Sequence, residues 1–173
     1  MIYYPQTIDS FVMILYHGSN VEVVEPKIVH SVRTLDFGSG FYTTANRNQA
    51  ENFALRITPK RGTGAPIVSC YEFDEKALAG CKVKDSPVAG VEWLDFVSDN
   101  RNDVYAGLDY DFVHGPIAND DVYRTLLFYF EGLMTKEAAL AALKVRKLYN
   151  QYVFKSEAAL AALHFVGSEV VHG

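Results

Sequence analysis

Three short segments carry side chains whose types and spacing could do chemistry. The first is Leu15-Tyr16-His17-Gly18-Ser19, a strand that delivers a histidine and then a glycine whose bare backbone can be approached closely. A neutral imidazole donates one hydrogen bond and accepts another, although a histidine at a strand end also serves as a satisfied structural residue. The second is Gly40-Phe41-Tyr42-Thr43-Thr44, followed eleven residues after Tyr42 by Phe53. Two aromatic rings so spaced could wall a slot for a flat ring, or Phe53 could simply fill core from an apolar helix face. The third is Asn150-Gln151-Tyr152-Val153-Phe154. By strand alternation Gln151 and Val153 share one face, with Tyr152 and Phe154 on the other. The Gln151 amide then either caps a surface or points into a polar pocket.

Other signals carry less. Asp36-Phe37-Gly38 spells the metal-binding motif of protein kinases, but no glycine-rich loop, pairing lysine or catalytic loop accompanies it. The five histidines are scattered without HExxH or CxxC, so metal catalysis is not expected. Gly38 and Gly40 do not make a GxGxxG turn. Asn119-Asp120-Asp121 ahead of an apolar run reads as a helix cap with acids at the positive end of the dipole, or as a target-recognition cluster. Trp93 is expected in the core.

The elements that must position these residues follow from the pattern. Residues 11–16 form an apolar run closed by Gly18, which suits a strand buried on both faces. Residues 20–35, broken by Pro26, read as an irregular connection with Arg33 and Asp36 at its charged end. A short strand over 41–44 precedes a helix that Asn46 and Gln49 would start in capping-box fashion. Ala50, Phe53, Ala54 and Ile57 make its apolar face, and Pro59 with Gly62 should end it. Further strands are expected at 66–73, 110–114, 149–154 and 164–171, with helices around 89–99 and from about Ala118. Glu-Ala-Ala-Leu-Ala-Ala-Leu occurs at 137–143 and again at 157–163. Ala and Leu are strong helix formers, so two independent short helices explain it without a duplication. Strands and helices mix without βαβ regularity, so the class is α+β. One domain over 1–173 is expected, with residues 1–12 a dispensable extension if Met13 is an alternative start.

Composition sets the outer bounds. The chain of 173 residues is 49% hydrophobic and 21% charged, as in globular proteins. Its formal net charge of -5 argues against a general nucleic-acid-binding surface. No window approaches the roughly 20 apolar residues of a membrane span, and 11–15 makes a poor signal peptide. Two cysteines, Cys70 and Cys81, lack metal-ligand spacing and suit reduced thiols in the cytoplasm.

Together the three segments resemble the signature strands of the poly(ADP-ribose) polymerase branch of ADP-ribosyltransferases. The spacing from Tyr42 to Phe53 matches the aromatic pair that sandwiches nicotinamide there. More closely, the chain from about Met13 onward resembles a family of small uncharacterised bacterial and phage proteins with an ADP-ribosyltransferase-like core. The segments that carry this closer resemblance are Asp36–Thr44, Gly115–Asp120 and Asn150-Gln151 with Phe154. The resemblance implies a split antiparallel β core with flanking helices, and NAD as the substrate. It implies that His17 bonds the adenosine-side ribose, that the Gly18 backbone binds the nicotinamide carboxamide, and that Ser19 helps hold the adenosine ribose. Tyr42 and Phe53 would stack the nicotinamide ring, and Gln151 would address the nicotinamide-ribose hydroxyl, making His17, Tyr42 and Gln151 the catalytic set. Polymerising members have glutamate where Gln151 stands, and Ala50 falls where that branch usually has a serine. Mono-ADP-ribosyl transfer to a macromolecular acceptor, or weak NAD hydrolysis, is therefore expected rather than chain elongation. Such freestanding domains often act as toxins or in phage conflict, with an antitoxin as a possible partner. The competing expectations are an NAD- or ADP-ribose-binding module without useful catalysis, and a structural domain that inherited the fold.

Overall fold

The computed structural model describes residues 12–30, 35–117, 120–144 and 148–173. Arg33, Asn119 and residues 1–11 of the expected extension lie outside them. In chain order the elements are β1 (Met13–Ser19), β2 (Phe41–Thr43), α1 (Arg47–Arg61), β3 (Ile67–Phe73), a 3-10 turn (Glu75–Leu78), β4 (Val83–Asp85) and α2 (Val91–Arg101). They continue with β5 (Phe112–Ile117), α3 (Asp120–Phe130), α4 (Lys136–Lys144), β6 (Tyr149–Phe154), α5 (Glu157–Leu160) and β7 (Leu163–Val170). The class is α+β, as expected.

The strands form two sheets. One has the order β1-β3-β7 and is antiparallel; the other has the order β2-β6-β5-β4. In the second sheet β5 and β4 run parallel, joined through α2, so one βαβ crossover exists where none was expected. Between the sheets lies an aromatic core. Leu15 and Tyr71 from the first sheet meet Phe41, Phe112 and Phe154 from the second, all buried. Burial of a side chain such as Phe154 is worth about 3–5 kcal/mol against alanine. A second core covers the opposite face of the β2-β6-β5-β4 sheet, where Val113 and Val153 pack under Trp93, Leu94 and Val97 of α2 and Val122 and Leu126 of α3. Trp93 is core as expected, and its Nε1–H donates to the Pro116 carbonyl at 2.7 Å.

α1 shows how the sequence pattern and the packing diverge. Its start is as expected: the Asn46 side chain accepts from the Gln49 N–H, capping the first turn. The helix nevertheless runs through Pro59 to Arg61 and stops only at Gly62, whose φ of 69° is left-handed. Only Ala50 and Ala54 of its expected apolar face are buried, while Phe53 is 42% exposed. The reason is close approach. A Cβ on Gly18 of β1 would stand 2.0 Å from the Ala50 carbonyl oxygen, so α1 rests backbone-on-backbone against the strand.

Three further expectations need correction. β1 is not buried on both faces, since Met13 is exposed and the strand forms an edge of its sheet. The second Glu-Ala-Ala-Leu-Ala-Ala-Leu copy gives one helical turn, after which Leu163 pairs with Phe73 and starts β7. β5 extends to Ile117 rather than stopping at His114.

Because the Gly18 site has no room and its obstruction is backbone, Gly18→Ala should destabilise the protein by at least about 1–3 kcal/mol. Urea unfolding followed by circular dichroism measures this. An unchanged midpoint would show that α1 does not rest on β1 in this way.

Candidate functional site

The two sheets meet where β1 passes the end of β2. The Tyr16 N–H donates to the Thr44 carbonyl at 2.8 Å, and the Thr44 N–H returns the bond at 3.0 Å. Thr44 is held in turn by its hydroxyl, which donates to Gln49 Oε1 at 2.6 Å and accepts from the Asn46 N–H at 3.0 Å. In an antiparallel ladder a residue that exchanges both bonds with one neighbour turns its backbone away from the other. Tyr16 therefore addresses Thr44, and Gly18, two residues on, directs its N–H and C=O toward that same edge.

His17 sits at this junction. Its Nδ1 lies 2.8 Å from the Tyr42 carbonyl oxygen, which can only accept, so Nδ1 carries the proton and Nε2 is left as an acceptor. The ring packs on Phe41, 4.4 Å between centroids. Burial lowers the His17 pKa from its usual 6.5, with the bond to Tyr42 acting in the other direction, so the imidazole is neutral at pH 7.

Tyr42 faces the other way. It pairs with Val153 across β2 and β6, and its ring lies parallel to that of Phe37 in the helix-side core. Its hydroxyl donates to the Gly38 carbonyl at 2.7 Å and accepts from the Phe37 N–H at 3.2 Å. Burial pushes the phenol well above its usual range. The surrounding turn is held from two more sides. Lys155 Nζ donates to the carbonyls of Phe37 at 2.5 Å and Ser39 at 3.0 Å, and Asp36 is ion-paired with Arg101. Asp36-Phe37-Gly38 is thus a structural turn: a paired acid, a buried ring and a glycine at φ 74°.

Gln151 is half-buried on β6, opposite Gly115 of β5 and one step past the Thr43–Tyr152 pair that ends β2. By alternation it shares the face of Val153 and Tyr42. Ser19 ends β1, and Phe53 lies exposed on α1 with the Arg56 guanidinium 5.4 Å above its ring. Of the expected residues, the backbones of His17, Gly18, Tyr42 and Gln151 lie near one strand junction, but the three expected side chains do not converge on one shared cavity. Tyr42 and Gln151 share one face of the sheet, while the His17 imidazole lies on the face of Phe41. Glu157 is exposed in α5 and Asp36 is taken by Arg101, so neither offers a free carboxylate at the junction.

A cavity of about 670 Å³ opens beside the junction, its walls including Thr44, Asn46, Arg47, Asn150 and Tyr152. His17, Tyr42 and Gln151 are not among its lining residues. Sequence reasoning missed a pair that stands behind its wall: Asp85 Oδ1 lies 2.7 Å from His114 Nδ1, and the His114 ring stacks on the lining residue Tyr152. A lone histidine in Phe-Val-His-Gly-Pro gave no signal, because its carboxylate partner is 29 residues away.

Among the described residues no cluster of three or more His, Cys, Asp or Glu could hold a metal ion, and no helix is long and apolar enough to cross a membrane. Cys70 and Cys81 are free thiols. Compared with known proteins, residues 13–165 match the family described as a protein of unknown function, DUF3990. No curated protein and no solved structure matches.

The lowered His17 pKa has a measurable consequence. Between the folded value and 6.5 the unfolded chain binds more protons, so stability present above pH 6.5 is lost as the pH falls. Wild type should lose up to about 1.4 kcal/mol per pH unit there from this one proton, and His17→Asn should remove that part of the slope. Chemical denaturation from pH 7 to 5.5 tests it; parallel curves for the two proteins would contradict the burial of a neutral imidazole.

Proposed function

We propose that this chain, which belongs to the DUF3990 family, is a mono-ADP-ribosyltransferase that cleaves NAD at the β1–β2 junction and modifies a macromolecular target in the cytoplasm. The observation that carries the reading is the bond from His17 to the Tyr42 carbonyl, at the point where the sheets part beside Gln151. A histidine and a tyrosine from distant segments are linked there, with Gln151 one step beyond the end of β2. The resemblance described above assigns NAD-binding roles to these same positions.

The chemistry asks little of a nucleophilic side chain. Breaking the nicotinamide–ribose bond develops positive charge on the sugar, as glycoside hydrolysis does, so positioning and electrostatics dominate. His17, neutral and with Nε2 free to accept, suits a ribose hydroxyl. The Gly18 backbone, buried but turned away from β3, suits a carboxamide that both donates and accepts. Phe53, exposed on α1, offers an aromatic wall, whereas the Tyr42 ring is held in the helix-side core by its own hydroxyl bonds and by Phe37. Gln151 can orient a ribose hydroxyl through its amide but cannot take a proton. A toxin or phage-conflict role, with an antitoxin as partner, follows from the resemblance alone.

One observation favours a second reading. With an amide at 151 and Asp36 committed to Arg101, neither position offers a free carboxylate among the described residues, as in a module that binds NAD without cleaving it.

Calorimetry with NAD and a nicotinamide-release assay separate the two. Saturation at 100 times the dissociation constant should add about 2.7 kcal/mol of stability. Phe53→Ala should weaken NAD binding about tenfold, the worth of one stacked ring. Gln151→Ala should keep the affinity within about twofold and cut nicotinamide release by about 10²-fold, as when a transition-state hydrogen bond is removed. Binding without release establishes the module; no binding removes both readings.

A further inference from the structure

The cavity meets β6 on both of its faces. Tyr149 stands on the side of Gln151, while Asn150 and Tyr152 stand on the other. Those last two residues both touch His114. The imidazole stacks on the Tyr152 ring at 4.3 Å and 26°, and its Nε2 lies 3.4 Å from Asn150 Nδ2. Its Nδ1 faces Asp85, its partner across the parallel β4–β5 ladder. A carboxylate only accepts and an amide nitrogen only donates. Both neighbours therefore select one tautomer, with the proton on Nδ1 and the lone pair on Nε2. The ring is held by stacking, oriented by a carboxylate and 16% exposed. It stands behind Asn150 and Tyr152 of the cavity wall, and its Nε2 accepts from Asn150 at a long 3.4 Å that an incoming hydroxyl can displace. Those are the parts of a general base.

We propose that the Asp85–His114 pair is the general base of this site, and that the adjoining cavity receives a hydroxyl nucleophile. The proposal rests on the NAD-cleaving reading above and supplies the proton acceptor that Gln151 cannot be. The acceptor oxygen bonds to C1′ of the nicotinamide ribose as the C1′–N bond breaks. The electron pair of that bond leaves with nicotinamide, which becomes a neutral ring. The hydroxyl proton passes to His114 Nε2, and Asp85 stabilises the resulting imidazolium. A carboxylate acceptor would bring no proton and need no such base. Water is the simplest hydroxyl that the cavity can take.

The test uses the full chain with NAD and water as acceptor, comparing wild type, His114→Ala and Asp85→Asn. His114→Ala should bind NAD within twofold of wild type and release nicotinamide at least about 10²-fold more slowly. Added imidazole should restore at least tenfold of that loss, which a purely structural histidine would not allow. Asp85→Asn, at an exposed carboxylate, should fold normally and lose about tenfold. If His114→Ala keeps its rate within threefold, or if imidazole restores nothing, the base assignment is overturned while NAD cleavage stands. If wild type releases no nicotinamide, the cleavage reading is overturned and the base assignment with it.

Discussion

Two backbone hydrogen bonds between Tyr16 and Thr44 tie the β1-β3-β7 sheet to β2 and fix where the sheets part. The tie sets His17 and Gly18 of β1 beside Tyr42 of β2. Below it the strands diverge and the sheets are filled by Phe41, Phe112 and Phe154. Around it stand His17, Gly18, Tyr42 and Gln151. Thr44 makes the tie stiff, because its hydroxyl is shared between the cap of α1 and the Gln49 side chain. Gly18 makes it tight, since only a residue without Cβ lets α1 settle onto the strand. The constraint is chiefly one of backbone, which explains why polar side chains can stand there at modest cost.

The same junction divides labour between faces. On the helix side, Tyr42 is committed to the turn over residues 36–39, which Lys155 and the Asp36–Arg101 pair also hold. On the aromatic side, His17 is kept neutral by burial and presents one acceptor nitrogen. The cavity beside them reaches both faces of β6, so groups that alternate along one strand can act on one ligand.

Much of this was legible in the sequence where the signal is local. Asn46 and Gln49 mark the start of α1, alternation marks β6, and the apolar run marks β1. Signals failed where tertiary approach decides. Phe53 sits on a periodic apolar face yet is exposed, because the Gly18–Ala50 contact draws the alanines inward instead. The second Glu-Ala-Ala-Leu-Ala-Ala-Leu copy is a strong helix former that yields after one turn to pairing of Leu163 with Phe73. The Asp85–His114 pair arises from a parallel ladder of three residues, and no local pattern announces it. Chemistry carried by one strand can be read in a line of sequence; chemistry shared across a ladder cannot.

The central assignment is that NAD occupies the β1–β2 junction. Titrating the ¹⁵N-labelled protein with NAD while recording backbone amide and histidine side-chain NMR spectra tests it most directly. We expect the largest shifts at Gly18, Phe53 and Gln151 and at the Nε2 of His17. Shifts confined to the far side of the second sheet, or none at saturating NAD, would contradict the assignment.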